Sequence, residues 1–338
     1  MTNVAINGLG RIGRATLKIV MDTPGLNLVA ANDIGTAESV EYLLRYDTVY
    51  GRYEKPVQAT EGGYLKIGEH RLRLLREKDP ERLPWTSMKV DIVFECTGVF
   101  TKREDLDAHI RAGAGYVILS APSKGEGMDT VVHGVNAPQG DTTIFSCASC
   151  TTNCITPVME ILGRRIGVKK AIMTTIHAYT ASQAIVDAAH SRPRRGRAGG
   201  ANLVPTSTGA AAGTTRALPE YSGRFGGVAV RAPVAVGSLA DIVVLTARTT
   251  SADEVNGVFV EEAGSERYRG ILGVTRDPIV SSDIIKDPRA SIVDLGMTQV
   301  VDGDLVKVMS WYDNEWGYSH QLVREACRIA NEIDIATS

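Results

Sequence analysis

Little in this chain points to export, to a membrane or to a disulfide scaffold. Five cysteines in 338 residues, an odd number at low density, exclude the disulfide framework of small secreted domains. Cys147, Cys150 and Cys154 lie close together, but no second Cys or His pair answers them. Their spacing does not suit zinc, and no metal site is expected. Charge of one sign is also missing: 37 Lys and Arg against 39 Asp and Glu leave a formal net charge of −2. A chain so balanced is not built as a general nucleic-acid or anionic-membrane binder. No run is long and apolar enough to cross a bilayer, and the most apolar stretch, 228–247, is broken by Arg231 and Asp241. The N-terminus has no basic region and no cleavage site, so no export signal is expected and the reading is cytoplasmic, with free thiols.

What is present is core material: 43% of residues are hydrophobic, and the length suits about two domains of roughly 150 residues each. Up to residue 120, strand-like segments (4–7, 26–31, 91–96, 116–120) alternate with helix-like ones (11–21, 38–46, 102–112). Such a βαβ rhythm with continuous apolar strands predicts a mostly parallel, doubly wound sheet of the Rossmann type over 1–149. Beyond Cys147 the rhythm changes. A helix over 150–163 and a strand over 170–177 precede a polar, Gly- and Arg-rich stretch, 182–213. Apolar runs at 227–236, 241–248, 292–297 and 305–312 then follow, separated by short turns. The expectation is an α/β protein whose second domain, 150–316, is α+β with a mainly antiparallel sheet. The amphipathic C-terminal segment, 317–338, returns as a helix to the first domain.

Gly8, Gly10 and Gly13 form G-x-G-x-x-G between the first strand and the first helix. The first glycine permits a tight turn, the second a close approach to a pyrophosphate, and the third close helix–strand packing. The helix N-terminus adds free N–H groups and partial positive charge. Glycines in a βα turn are often only structural, but Asp33 stands 20 residues after Gly13, where a carboxylate accepts from the adenosine ribose. The pattern reads as dinucleotide binding. A carboxylate facing a 2′-phosphate at 4 Å meets repulsion of about 4 kcal/mol at an effective dielectric near 20, which favours NAD over NADP.

Cys150 follows Ser149 and opens the second-domain helix, where a thiolate is stabilised. The bland alternative is a small buried cysteine. His177 ends a strand and offers a base, so the two make a candidate nucleophile–base pair. Cys154, a turn further on, reads as a packing residue or an oxidation partner of Cys150. The run 192–197 carries four arginines, which either hold phosphates by forked hydrogen bonds or form a solvated loop or subunit contact. Thr208 and Gly209 offer a hydroxyl and a flexible backbone for a second anion. Arg231, a lone charge in an apolar run, needs a partner, and an anionic ligand would serve.

Asn7 to Arg14 (NGLGRIGR), Ala148 to Asn153 (ASCTTN), His177 to Thr180 and Trp311 to Tyr318 (WYDNEWGY), in this order along nearly the whole chain, resemble the glyceraldehyde-3-phosphate dehydrogenase family. The resemblance implies a phosphorylating aldehyde dehydrogenase. Cys150 would attack the aldehyde of glyceraldehyde 3-phosphate, and His177 would take the proton. A hydride would pass to NAD, leaving a thioester that inorganic phosphate cleaves to 1,3-bisphosphoglycerate. By the same resemblance Thr180 and Arg231 hold the substrate phosphate, and Ser149, Thr151, Arg195, Thr208 and Gly209 the attacking phosphate. Arg11 and Ile12 fall at the pyrophosphate, Thr97, Gly98 and Ser120 at the nucleotide site, and Asn314 at the nicotinamide amide.

Two departures stand out. After Arg231 the family commonly reads Val-Pro-Thr-Pro-Asn-Val-Ser, whereas this chain reads Ala232-Pro233-Val234-Ala235-Val236-Gly237-Ser238. Ala188-Ala189 follow Asp187 where NAD-specific members often carry Leu-Pro, so NAD is expected with some NADP tolerance. The resemblance also implies a homotetramer, with the loop 182–200 at a subunit interface. Two alternatives stand beside this reading: a related erythrose-4-phosphate dehydrogenase, whose members usually lack threonines matching Thr180 and Thr208, and a non-catalytic RNA- or protein-binding role. The balanced charge and the presence of both Cys150 and His177 argue against the latter, and no primary nucleic-acid partner is expected.

Overall fold

The computed structural model describes residues 1–337. They form two compact units. The first comprises Met1–Val131, Pro138–Ala148 and the last segment from Ser319, and the second comprises Val132–Ala137 and Ser149–Tyr318.

The first unit is built on a nine-stranded sheet. From one edge its order is Asp129–Thr130, Ile144–Ser146, Tyr116–Leu119, Ile92–Glu95, Thr2–Asn7, Leu26–Asn32, His70–Leu75, Tyr64–Ile67 and Val57–Thr60. The first seven run parallel. Their central residues explain why: Val4, Ala5, Ile6, Val93, Phe94, Val117 and Ile118 are all 0% exposed, so these strands are covered on both faces. Thr2–Asn7 pairs with Leu26–Asn32 on one side and Ile92–Glu95 on the other. The chain winds outward both ways from this strand, which creates a crevice at its carboxyl end. The antiparallel edge over 57–75 has no counterpart in the expected βαβ pattern. Its strands are short and their amphipathic alternation is weak, and Gly62 and Gly63 turn the chain between two of them at φ of +76° and +75°.

The second unit holds a seven-stranded sheet in the order Val204–Ser207, Phe225–Ala232, Val168–Ala178, Ser238–Thr246, Leu305–Tyr312, Ser291–Val301 and Leu272–Thr275. Most neighbours are antiparallel, as the short connections dictate. Val168–Ala178 and Phe225–Ala232 are parallel, as are Leu272–Thr275 and Ser291–Val301. Along Ser238–Thr246 burial alternates strictly, the mark of a sheet with one covered face. The cover is the helix Cys150–Arg165 with Ala252–Gly264: Cys154, Ile155, Val158, Met159 and Leu162 pack with Ile242, Val244, Val306 and Val308.

Candidate active site

The helix Cys150–Arg165 starts where its sequence provides a cap. Ser149 is extended, and its Oγ accepts from the Thr152 N–H at 3.1 Å. Cys150 therefore stands in the first turn. His177 arrives on the parallel strand pair, in register with Arg231. The His177 Nε2 lies 3.4 Å from the Cys150 Sγ. The other ring nitrogen, Nδ1, is 2.7 Å from the Ala178 carbonyl oxygen. Two partners compete for Nδ1: the carbonyl only accepts and an Arg231 Nη1 at 2.5 Å only donates. It is the tautomer bonded to the carbonyl, with its proton on Nδ1, that turns the Nε2 lone pair to the thiol. An Arg231 Nη1 donates to the same carbonyl at 3.0 Å and packs against Nδ1.

The electrostatics differ from the sequence expectation of an acidified thiol. Burial pushes the Cys150 thiol up, and the Arg231 guanidinium opposes it without winning. Burial, then Arg231, bring His177 down to about 3. Desolvation disfavours the charged form of both partners, and at the thiol the Arg231 charge and the backbone N–H groups of the helix start oppose it. Cys154 is fully buried, with its Sγ facing Ser291 and the Ser310 carbonyl, and burial raises its thiol to about 12.

Tyr312, to which the sequence reading gave no individual role, braces the pair. Its buried hydroxyl lies 2.8 Å from both Thr151 Oγ1 and Thr175 Oγ1, joining the Cys150 helix to the His177 strand. Its ring meets His177 edge-on at 6.0 Å. The available signal is positional: Tyr312 faces inward at the end of a strand of alternating burial. Thr151 thus spends its hydroxyl inside the unit.

Two guanidiniums flank the pair. Arg195 donates to Thr206 Oγ1 at 3.0 Å, and burial and the Arg231 charge both lower its pKa. The Nε of Arg231 is buried without a hydrogen-bond partner. Among the described residues neither arginine has a carboxylate partner. Thr180 Oγ1 rests on Ser182 Oγ at 2.8 Å, and Thr208 Oγ1 accepts from the Ala210 N–H at 3.1 Å. Gly209 precedes the helix Ala210–Ala217.

In the first unit, the crevice is a cavity of about 380 Å³ lined by Gly8, Gly10, Asp33 and Thr97, with Asn7, Asn32, Ile34, Glu77, Lys78 and Cys96 among the others. Gly8 adopts φ +94°, and a Cβ on Gly13 would stand 1.9 Å from the Gly8 oxygen. The helix Arg11–Val20 has no side-chain cap and no acidic residue in its first turn, so its N–H groups suit an anion. Asp33 already holds this loop, accepting from Leu9 N at 2.7 Å and Gly35 N at 2.8 Å. Arg11 pairs with Asp47 at 2.5 Å. Arg11, Ile12, Gly13 and Ser120 are not among the residues lining this cavity. Gly98 follows Thr97 at φ +71°. Asn314 belongs to the second unit, where it is buried.

Comparison with known proteins decides the family. Residues 2–103 match the family model described as glyceraldehyde 3-phosphate dehydrogenase, NAD binding domain, and residues 149–314 the model for its C-terminal domain. The chain belongs to the glyceraldehyde-3-phosphate dehydrogenase family. It is 42% identical over 334 residues to a glyceraldehyde-3-phosphate dehydrogenase of Zymomonas mobilis, covering 98% of this chain and 99% of the relative. A Streptomyces coelicolor relative of the same name is 43% identical over 334 residues, with 98% and 99% coverage. Glyceraldehyde-3-phosphate dehydrogenase 2 of Staphylococcus aureus is 44% identical over 331 residues, with 97% and 96% coverage. NAD is the cofactor that the matched domain names. Among the described residues of this family member, no helix is long and apolar enough to cross a membrane, and no group of three or more His, Cys, Asp or Glu is placed to hold a metal.

Proposed function

We propose that this chain oxidises D-glyceraldehyde 3-phosphate with NAD and inorganic phosphate to 1,3-bisphosphoglycerate. The observation that carries the reading is the Cys150–His177 contact at 3.4 Å beside two guanidiniums that lack carboxylate partners. Arg231 and Thr180 receive the substrate phosphate, and Ser149, Arg195, Thr208 and Gly209 the attacking one, with Thr151 contributing its backbone N–H. An anion on Arg231 cancels the charge that depresses His177, so a phosphorylated substrate raises the basicity of the imidazole it needs. His177 Nε2 takes the thiol proton as sulfur bonds to the aldehyde carbon and returns it to the carbonyl oxygen, giving a hemithioacetal with the imidazole neutral again. NAD, which Gly8, Gly10, Asp33 and Thr97 would hold, would supply the hydride acceptor. Loss of hydride from the hemithioacetal carbon, with its hydroxyl proton passing to His177, leaves the thioester. Phosphate oxygen then attacks the thioester carbon, the C–S bond breaks, and His177 returns its proton to the departing sulfur, which regenerates the thiol.

The test follows reduced nicotinamide absorbance with and without phosphate, in the wild type and in Cys150→Ser. Turnover that needs both phosphate and Cys150 is expected. Turnover indifferent to phosphate would overturn the phosphorylating step and direct the assay to erythrose 4-phosphate. For the cofactor, Asp33 supports NAD preference, and the small Ala188-Ala189 pair supports residual use of NADP; the two kcat/KM values measure the ratio. A homotetramer is the assembly this reading carries. Its support is the apolar side chains left open on the sheet and on the long loop, with Ile172 60%, Val228 51% and Ile185 92% exposed. Sedimentation equilibrium checks it.

A further inference from the structure

The loop that follows Arg231 contains a hydrogen-bond chain that the catalytic pair does not use. Asn314 is buried, and its Oδ1 accepts from Gly237 N at 3.1 Å and from Ser238 Oγ at 3.0 Å. Ser238 Oγ in turn accepts from Ala178 N at 3.2 Å. Every direction in this chain is fixed. Backbone N–H groups only donate, so the Asn314 atom facing Gly237 is its oxygen, and Ser238 must give its single proton to that oxygen. Both acceptor positions of Oδ1 are then filled. Among the described residues Nδ2 has no partner, so the two amide donors of Asn314 remain unspent.

Two residues hold this arrangement. Ser238 is 1% exposed and joins Asn314 to the N–H of Ala178, the residue whose carbonyl meets the His177 ring. Gly237 sits at φ +89°, and a Cβ there would stand 2.4 Å from the Ser281 carbonyl oxygen. That combination admits only glycine. It falls in the segment where this chain departs from the usual family string, and it is what delivers the Gly237 N–H to Asn314.

We propose that Gly237 and Ser238 are positioning residues that lock the Asn314 amide with its oxygen spent and both N–H groups free, the arrangement a nicotinamide carboxamide oxygen requires of its partner. The inference rests on the function proposed above. A carboxamide oxygen accepts only, so a flipped Asn314 would meet it oxygen to oxygen. Holding the carboxamide fixes which face of the nicotinamide ring receives the hydride. The locked amide therefore serves stereochemical fidelity as well as affinity.

The test uses the full-length protein with Ser238→Ala, Ser238→Cys and Ser238→Thr. NAD affinity is read by tryptophan fluorescence. The face of transfer is read by NMR of the reduced cofactor formed from aldehyde-deuterated glyceraldehyde 3-phosphate. Ser238→Ala is expected to weaken NAD binding about tenfold and to place deuterium on both faces. Ser238→Cys, similar in volume but a weaker donor, is expected to fall between, and Ser238→Thr to restore a single face. Circular dichroism and the urea midpoint confirm the fold. A folded Ser238→Ala protein with wild-type NAD affinity and single-face transfer overturns the proposal. Wild-type protein that binds NAD but transfers no deuterium overturns the parent reading and this one with it.

Discussion

Glu95, fully buried, and Arg231, half-buried, are both charged side chains at a candidate site, and their surroundings are opposite. Glu95 is 0% exposed and collects donors on both oxygens. Asn7 Nδ2 donates at 2.6 Å, the Thr97 N–H at 2.7 Å, and the Thr97 hydroxyl also donates. Trp85 Nε1 donates to His109 Nδ1 at 3.0 Å, so His109 carries its proton on Nε2 and gives it to Glu95 at 3.1 Å. Asn7, Asn32, Glu77 and Thr97, which line the nucleotide cavity, are tied to one another through this network. Arg231 has a carbonyl, a crowded imidazole nitrogen and an unpartnered Nε. The floor of the cavity is complete without a ligand. The thiol site leaves a charge in need of one, as expected where binding energy goes into chemistry rather than into the fold.

The sharpest way to break this comparison is Glu95→Ala. It leaves the Asn7, Thr97 and His109 donors buried without an acceptor, at a cost of about 3–5 kcal/mol. The urea midpoint of the first unit is expected to fall accordingly and NAD binding to be lost with it. An unchanged midpoint would show that the network is decoration.

Acid should act next, and on the other region. His177 is held near 3 in the fold against about 6.5 when unfolded, so protons bind the unfolded chain more tightly. The stability this neutral histidine contributes is fully present above about pH 6.5 and is lost as pH falls toward 3, roughly 3 kcal/mol of it by about pH 4. His177→Asn should flatten this acid limb in equilibrium unfolding. A variant as acid-sensitive as the wild type would place the proton uptake elsewhere.

Both regions were legible in the sequence to different depths, for physical reasons. The parallel core was readable because Val4-Ala5-Ile6 and Ile92–Glu95 are buried on both faces and leave continuous apolar runs. The helix at Cys150 was readable because Ser149 is a side-chain cap. The antiparallel edge over 57–75 was not, since its short strands are only half covered. Neither the Glu95 network nor the Tyr312 brace is a local pattern. Glu95 meets His109 across 14 residues and Tyr312 meets Thr151 across 161, so the packing of a helix on a strand, not local spacing, creates them. The thiol illustrates the same limit. A helix N-terminus can be read from sequence, but the burial that outweighs it cannot.

Arg231→Met should sharpen the contrast. It replaces a poorly paired, half-buried charge with a similar apolar volume, so stability should hold or rise by about 1 kcal/mol. At the same time kcat/KM should fall about a hundredfold through loss of a charge-assisted contact to the substrate anion. Calorimetry and initial rates on the same preparation separate the two effects. A large destabilisation would mean that Arg231 belongs to the fold after all.

The smallest effect tests the glycine loop. A methyl on Gly10 meets nothing within 4 Å, and this residue is exposed at an ordinary φ of −67°. Gly10→Ala should therefore stay within about 0.5 kcal/mol of the wild-type stability. Gly8, at φ +94° with the Thr97 nitrogen 2.7 Å from any added Cβ, has no such latitude. If the loop serves a pyrophosphate, the Gly10 methyl stands where the ligand must approach, and NAD affinity should fall while the melting curve stays still. If affinity also stays, Gly10 is only a link in the turn, and the anion site is confined to the helix N–H groups beyond it.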